Sequence, residues 1–275
     1  MVKTLRYSNT NTYLIKGSRR DLLFDTGWAG TFPDFCRALG EAGESLQTIG
    51  GILISHYHPD HMGIAQEIAE RGPVLLIANF QKPFVHGAAA GFAKEGKHRF
   101  VPINEETAVA FSVEDSRSLL AGYGIEGEIL ATPGHSDDSI SLCLDDGTVL
   151  VGDLNPLYEL ECHKGTRIAE SWEKLLSKHP KRILYGHARE ATLEADGASR
   201  GAAIPVEARE VSEKELYQLV AKIMKYIDRK YPLEKIRKKT GASAEFVEQT
   251  ARMYLTHQNV GVQGILDRIE LRKMY

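Results

Sequence analysis

What the sequence is short of already narrows its class. Among 275 residues there are three cysteines, Cys36, Cys143 and Cys162, odd in number and widely spaced. Such a set argues against a disulfide framework and against a cysteine zinc site. No run approaches the roughly 18 consecutive apolar residues that a membrane span needs, and the opening MVKTLRYSNTNTYLI lacks the apolar centre of a secretory signal. We therefore expect a cytoplasmic chain with reduced thiols and no membrane partner. A large charge excess is missing too, since 34 Lys and Arg stand against 37 Asp and Glu, a formal net charge of −3. Residues 210–275 carry 13 basic against 9 acidic side chains, so residues 1–209 hold 21 against 28. An acidic body offers no general attraction to phosphate backbones, and the mild excess in the tail is that of a solvated helical surface. No low-complexity tract or clear long-period repeat occurs.

What is present is the composition of an ordinary globular protein, 43% hydrophobic and 26% charged, large enough for one big core and a small appendage. Up to about residue 190 the pattern is one of short β-rich runs: NTYLI, DLLFDTG, GGILISH, PVLLIA, GEILATPGH, SISLCLDDGTVLVGD and KRILYGH. Asp146-Gly147 marks a hairpin between two of them. Several runs end at an acid or a histidine, namely Asp25, His56, His135, Asp153 and His187. Strand ends are where a sheet presents side chains to a common cleft. From Arg189 to Glu210 the Ala-, Gly- and Ser-rich chain reads as a linker.

Beyond it the pattern is helical. Ser212 and Glu215 form a capping box, and Leu216, Leu219, Val220, Ile223, Met224 and Ile227 keep one face apolar. Pro232 opens a second helix that Gly241 closes. Ser243 caps a third, carrying Phe246, Val247, Thr250, Met253 and Tyr254. The division expected is residues 1–205 as the main domain and 206–275 as a small helical subdomain with a winged-helix-like pattern, whose face packs on the body or on a second copy in a homodimer.

SHYHPDHMG, residues 55–63, places three histidines and an aspartate directly behind the apolar Ile52, Leu53 and Ile54. As bare core residues they would each need a buried partner, and protonated rings would repel one another. A divalent metal removes both problems. In extended chain His56 and His58 point to one side, and Asp60 and His61 follow where a helix beginning near Met62 turns back over the strand end. By the chain's own composition an HxHxDH pattern arises by accident roughly once in a thousand such sequences.

With HYHPDH, TPGHS, VGD and YGH occurring in this order, each behind an apolar run, the sequence over roughly residues 10–190 resembles the metallo-β-lactamase superfamily of hydrolases. The resemblance implies an α/β fold, an αββα sandwich of two face-to-face sheets with helices outside and a metal pair at one edge. It implies that His56, His58 and His135 bind one metal, that Asp60, His61 and His187 bind the second, and that Asp153 bridges them. It further implies that Asp25 supports the metal loop from behind.

Nitrogen and oxygen donors without thiolate suit zinc and also accept iron, manganese or cobalt. Two metals about 3.5 to 4 Å apart can share one hydroxide. The expected chemistry is attack of this bridging hydroxide on a small ester, thioester or lactone, with Asp60 orienting the nucleophile and shuttling a proton; Tyr57 and Tyr158 read either as oxyanion donors or, as is commoner for a tyrosine near a strand end, as packing. Gln81–Glu106, with Phe84, Phe92 and Phe100, reads either as a lid or as plain packing. A metal-dependent nuclease or phosphodiesterase is the second reading, drawn from Lys235, Arg237, Lys238 and Lys239. An iron oxygenase on the same scaffold is the third. The recognisable basic substrate motif of the glyoxalase II branch and the long RNA-holding arm of the tRNA-maturing nucleases are both missing.

Overall fold

The computed structural model describes residues 1–87, 100–193, 199–200, 213–229 and 231–256. The first of its two compact units, Met1–Gly197, is built on two sheets. One contains β1 (Val2–Leu5), β2 (Thr12–Ile15), β3 (Asp21–Phe24), β4 (Ile49–Leu53), β5 (Val74–Ala78) and β6 (Val109–Phe111), neighbours in that order. β1, β2 and β3 pair antiparallel, whereas β3 to β6 pair parallel. The other sheet holds β7 (Gly127–Ala131), β8 (Ile140–Leu144), β9 (Thr148–Leu150), β10 (Arg182–Leu184) and β11 (Ala191–Leu193) side by side. Here only β9 and β10 run parallel. Asp146-Gly147 turns β8 into β9 as its sequence requires, with Gly147 at φ +91°.

Alternation along the strands sorts the core into three layers. Leu22, Phe24, Leu53, Leu76 and Ala78 of the first sheet meet Ile129, Ile140, Leu142, Leu150 and Leu184 of the second between the sheets. Their chain neighbours Leu23, Ile52, Leu75 and Ile77 face the opposite way, against Phe35 and Leu39 of α1 (Phe32–Glu41) and Ile68 of the short α3 (Ala65–Ala69). α2 (Pro59–Met62) contributes Met62 to the same layer. On the far side, Val149, Val151 and Ile183 pack on Trp172 and Leu175 of α5 (Arg167–Leu176), while α4 (Ser116–Tyr123) adds Leu120 to the middle layer. Strands buried on both faces need unbroken apolar runs, which is why LLF, ILI and VLLIA look as they do. The order helix, sheet, sheet, helix is the sandwich expected.

Four strands lie outside the predicted runs. β1 and β6 were not anticipated. The expected linker from Arg189 onward contains β11, which pairs antiparallel with β10, and a two-residue strand β12 (Ser199–Arg200). Ala191 and Leu193 are buried and Thr192 is exposed, so three alternating residues suffice to make a strand where composition suggests a loop.

The second unit, Ala198–Tyr275, contains α6 (Glu213–Asp228), α7 (Leu233–Thr240) and α8 (Ala244–Thr256). Ile223, Ile236 and Val247, one from each helix, form its core, with Leu219, Ile227 and Phe246 packed around them. Pro232 sits at the N-cap of α7, Gly241 ends it at φ +71°, and Ser243 Oγ accepts from Phe246 N at 3.2 Å. The capping box of Ser212 with Glu215 and the side chain of Met253 lie outside the described residues. No helix among the described residues is long and apolar enough to cross a membrane.

Leu53 is fully buried between the sheets. Leu53→Ala should cost about 2 to 5 kcal/mol through lost transfer energy and a residual cavity. The shift of the denaturant midpoint measures it, and a change below about 0.5 kcal/mol would mean that the sheets do not pack as described.

Candidate metal centre

Each side chain of the centre is placed by the end of a buried strand. β4 and the buried Ile54 lead into Ser55 and His56, and His58 caps α2 with extended backbone. Pro59 opens that helix, as its fixed φ favours. Asp60 and His61 therefore lie within the helix, whose start is three residues earlier than the expected Met62. From the second sheet come His135, in the loop between β7 and β8, Asp153 behind β9, and His187 behind β10. Close approach here demands glycine: a Cβ on Gly186 would stand 2.6 Å from Asp153 Oδ1 and 2.9 Å from His61 Cε1.

All seven predicted donors converge. His56 Nε2 and His135 Nε2 lie 3.0 and 3.1 Å from His58 Nδ1. Two nitrogens bound tetrahedrally to one zinc at 2.0–2.1 Å stand about 3.3 Å apart, so these three rings could share a cation with little adjustment. His187 Nε2 is 2.8 Å from Asp60 Oδ2, and His61 Nε2 is 3.7 Å from the same oxygen. Asp153 divides its carboxylate between the groups. Its Oδ1 lies 3.2 Å from His61 Nε2 and 3.4 Å from His187 Nε2, while its Oδ2 lies 3.6 Å from His135 Nε2. Three sets of donors, His56 with His58 and His135, His56 with His61 and Asp153, and Asp60 with His61 and His187, are each compact enough to hold an ion.

Whether a metal fits is decided by buried atoms left without hydrogen bonds. His61 Nε2, His187 Nε2 and Asp153 Oδ1 are buried without a hydrogen bond. Their remote atoms, by contrast, are anchored. His61 Nδ1 lies 2.8 Å from Asp25 Oδ2, and His187 Nδ1 donates to the backbone oxygen of Asn9 at 2.9 Å. A carbonyl or carboxylate only accepts, so each ring keeps its proton on Nδ1 and turns a lone pair inward when neutral. Asp25 also accepts from Ser55 N at 2.7 Å and Ser55 Oγ at 2.9 Å, and that hydroxyl lies 3.0 Å from His56 Nδ1. One carboxylate thus orients rings in both groups, from a residue at φ +62° where Asp is tolerated. The donor set and its inward lone pairs fit a divalent metal.

Electrostatics tell the same story. Burial pushes His56 well below the ordinary imidazole value, with His61 adding to the effect. Burial opposes charge on His61 too, but Asp153 and Asp25 outweigh it and hold that ring well above its usual value. His187 is likewise raised, to about 9, by Asp153 and Asp60 against the burial cost. Burial disfavours the charged carboxylates, yet His61 and His187 hold Asp153 well below the carboxylate range and the neighbouring His187 lowers Asp60. The buried acids collect positive charge, as protons or as metal.

Other sequence candidates fall elsewhere. Tyr57 is buried in the apolar layer beside the helices, so of its two readings its ring takes packing and not the oxyanion role. The side chains of Tyr158 and Cys162 lie outside the described residues, as does most of the candidate lid. Of its ends, Phe84 is exposed and Phe100 packs on the core. Ser55, Asn9 and Thr10, whose hydroxyl lies 3.4 Å from Asp60 Oδ2, were not foreseen. Asn9 acts through a backbone oxygen, for which a side-chain pattern carries no signal.

A family model described as the metallo-beta-lactamase superfamily matches residues 5–187. A beta-lactamase-like protein 2 homolog of Drosophila melanogaster is 27% identical over 191 residues, 65% of this chain and 58% of that protein. An atrochrysone carboxyl ACP thioesterase of Passalora fulva is 28% identical over 145 residues, 51% of this chain and 35% of that enzyme. The chain thus spans between about a third and three fifths of the length of these curated relatives. Among solved structures, the di-iron-bound form of TTHA1623 superposes with a TM-score of 0.52 at 24% identity, over 70% of this chain and 94% of that one. That likeness concerns the fold.

In the metal-free protein, His187 is charged up to about pH 9 and its unfolded value is 6.5. Its contribution to stability is therefore fully present below about pH 6.5 and is lost as pH rises through about 9. Zinc must displace that proton, so binding at about pH 7.5 should release protons and bind more tightly as pH rises toward 9. Calorimetry in buffers of different ionisation heat measures the release, and a buffer-independent heat at pH 7.5 would contradict the assignment.

Proposed function

The chain belongs to the metallo-beta-lactamase superfamily, and from that premise we propose that it is a dinuclear metal-dependent hydrolase of a small ester, thioester or lactone. The observation that carries the proposal is the trio of buried, inward-facing atoms His61 Nε2, His187 Nε2 and Asp153 Oδ1, which make no hydrogen bond among the described residues and meet only one another and Asp60 in ion-pair contacts. A pair of divalent ions bound there supplies a water whose pKa falls from 15.7 toward about 7 and a Lewis acid for the developing negative charge. Zinc is the metal we favour. The di-iron form of the TTHA1623 structure keeps iron as the alternative to be tested by metal analysis.

The chain's own residues do the remaining work. Asp25 and the Asn9 carbonyl hold the Nδ1 sides of His61 and His187, so each ring needs only to lose its Nε2 proton, without turning, to present a lone pair. Asp60 Oδ2, 2.8 Å from His187 Nε2 and 3.4 Å from Thr10 Oγ1, is held as a carboxylate. It is placed to accept a proton from the attacking water and hand it to the leaving group. A thioester or ester is the substrate class we favour, supported by the acidic balance of residues 1–209 and by the thioesterase among the relatives. A nuclease is the second reading, favoured by the exposed Lys235, Arg237, Lys238 and Lys239 on α7.

Asp60→Asn should lower kcat/KM on a thioester or lactone by about 10² to 10⁴-fold at matched metal content. Steady-state kinetics beside metal analysis tests this, and unchanged turnover with full metal would remove Asp60 from the mechanism. A nuclease would instead lose substrate affinity steeply between low and high salt, and an oxygenase would consume O₂.

A further inference from the structure

The donors of the three-histidine group come from different sheets: His56 and His58 follow β4, and His135 lies in the loop between β7 and β8. Something must hold those segments at a fixed distance. Two buried polar side chains outside the donor set meet that need. Gln81, fully buried in the turn after β5, donates from Nε2 to Ile54 O at 3.1 Å and Asp138 O at 2.9 Å, with Ser55 O at 3.5 Å. Its Oε1 accepts from Ala78 N at 3.2 Å, which fixes the amide's orientation. Asp138, 2% exposed, accepts from Tyr57 N at 2.6 Å through Oδ2. Tyr57 lies between His56 and His58 in the chain, and Asp138 lies three residues after His135.

The loop that carries His135 is braced within itself and against Ser55. Thr132 N donates to Ser139 O at 2.9 Å, the hydroxyls of Ser136 and Ser139 stand 2.7 Å apart, and Ile140 N donates to Ser55 O at 2.8 Å. These bonds tie Asp138 into the same braced segment as His135. His61 and His187 rest on Asp25 and on the Asn9 carbonyl, of which Asp25 also reaches His56 through Ser55 Oγ, whereas neither touches the His135 loop.

We propose that Gln81 and Asp138 are positioning residues, a polar clamp that fixes the His135 loop against the His56–His58 turn and so sets the metal affinity of the three-histidine group. This inference rests on the metal-centre reading above. It deepens that reading by giving the two groups separately tunable affinities.

The test is competition titration of Zn²⁺ into the metal-stripped full chain against a chromophoric chelator, in two single-group backgrounds. In His187→Ala, where the three-histidine group is intact, Asp138→Ala should weaken zinc binding by about 10 to 100-fold, the usual effect of losing an outer support. Asp138→Asn, whose side-chain oxygen can still accept from Tyr57 N, should restore most of the affinity. In His135→Ala neither change should matter. Gln81→Met, similar in length but without donors, should repeat the pattern, and the Asp138 pair keeps the test decisive if that variant does not fold. Equal weakening in both backgrounds, or none in either, overturns the clamp. Failure of the unsubstituted chain to bind zinc overturns the metal centre itself.

Discussion

Three buried atoms pointing at one another across two sheets govern this molecule. Burying a polar atom without a hydrogen bond costs about 1 to 3 kcal/mol, more when it is charged, and His61 Nε2, His187 Nε2 and Asp153 Oδ1 make none, being left with ion-pair contacts to one another and to Asp60. Protons can answer part of the cost, since Asp153 and Asp60 raise His187 to about 9. Cations answer it more fully, because one ion can satisfy several lone pairs at once. Supports on the other side of each ring, Asp25 and the Asn9 carbonyl, keep the lone pairs inward. The arrangement is thus pre-set for a charge that the protein's own atoms do not supply.

The sandwich makes this placement affordable. Each strand that ends at the centre is locked by apolar contacts on both faces, as Leu53 and Ile52 show by facing opposite layers. Polar side chains at the strand ends can then be concentrated without loosening the core. Gly186 and Gly152 complete the design by removing side chains where the backbone must pass against Asp153 and Ser55.

How much of this the sequence carried depended on whether a feature was local. HYHPDH was legible because four donors fall within six residues behind an apolar strand, and His135, Asp153 and His187 because each ends another such run. The fold class followed from the same alternation of runs. What escaped was either backbone-borne or remote. The Asn9 carbonyl has no side-chain signature, and Gln81 stands more than twenty residues from the carbonyls it holds. β11 was hidden in an Ala- and Gly-rich stretch because three residues are too few to show a period. Tyr57 takes the packing alternative of its two readings, since its neighbours in the chain face the centre while its ring turns into the core.

The central claim is that seven side chains from separate segments hold a pair of cations. Anomalous diffraction from crystals of protein purified without chelators tests it most directly. The account predicts two metal peaks, one among His56, His58 and His135 and one among Asp60, His61 and His187, with Asp153 between them. Absence of both peaks in crystals grown with excess zinc, with His61 and His187 turned away from Asp153, would contradict it.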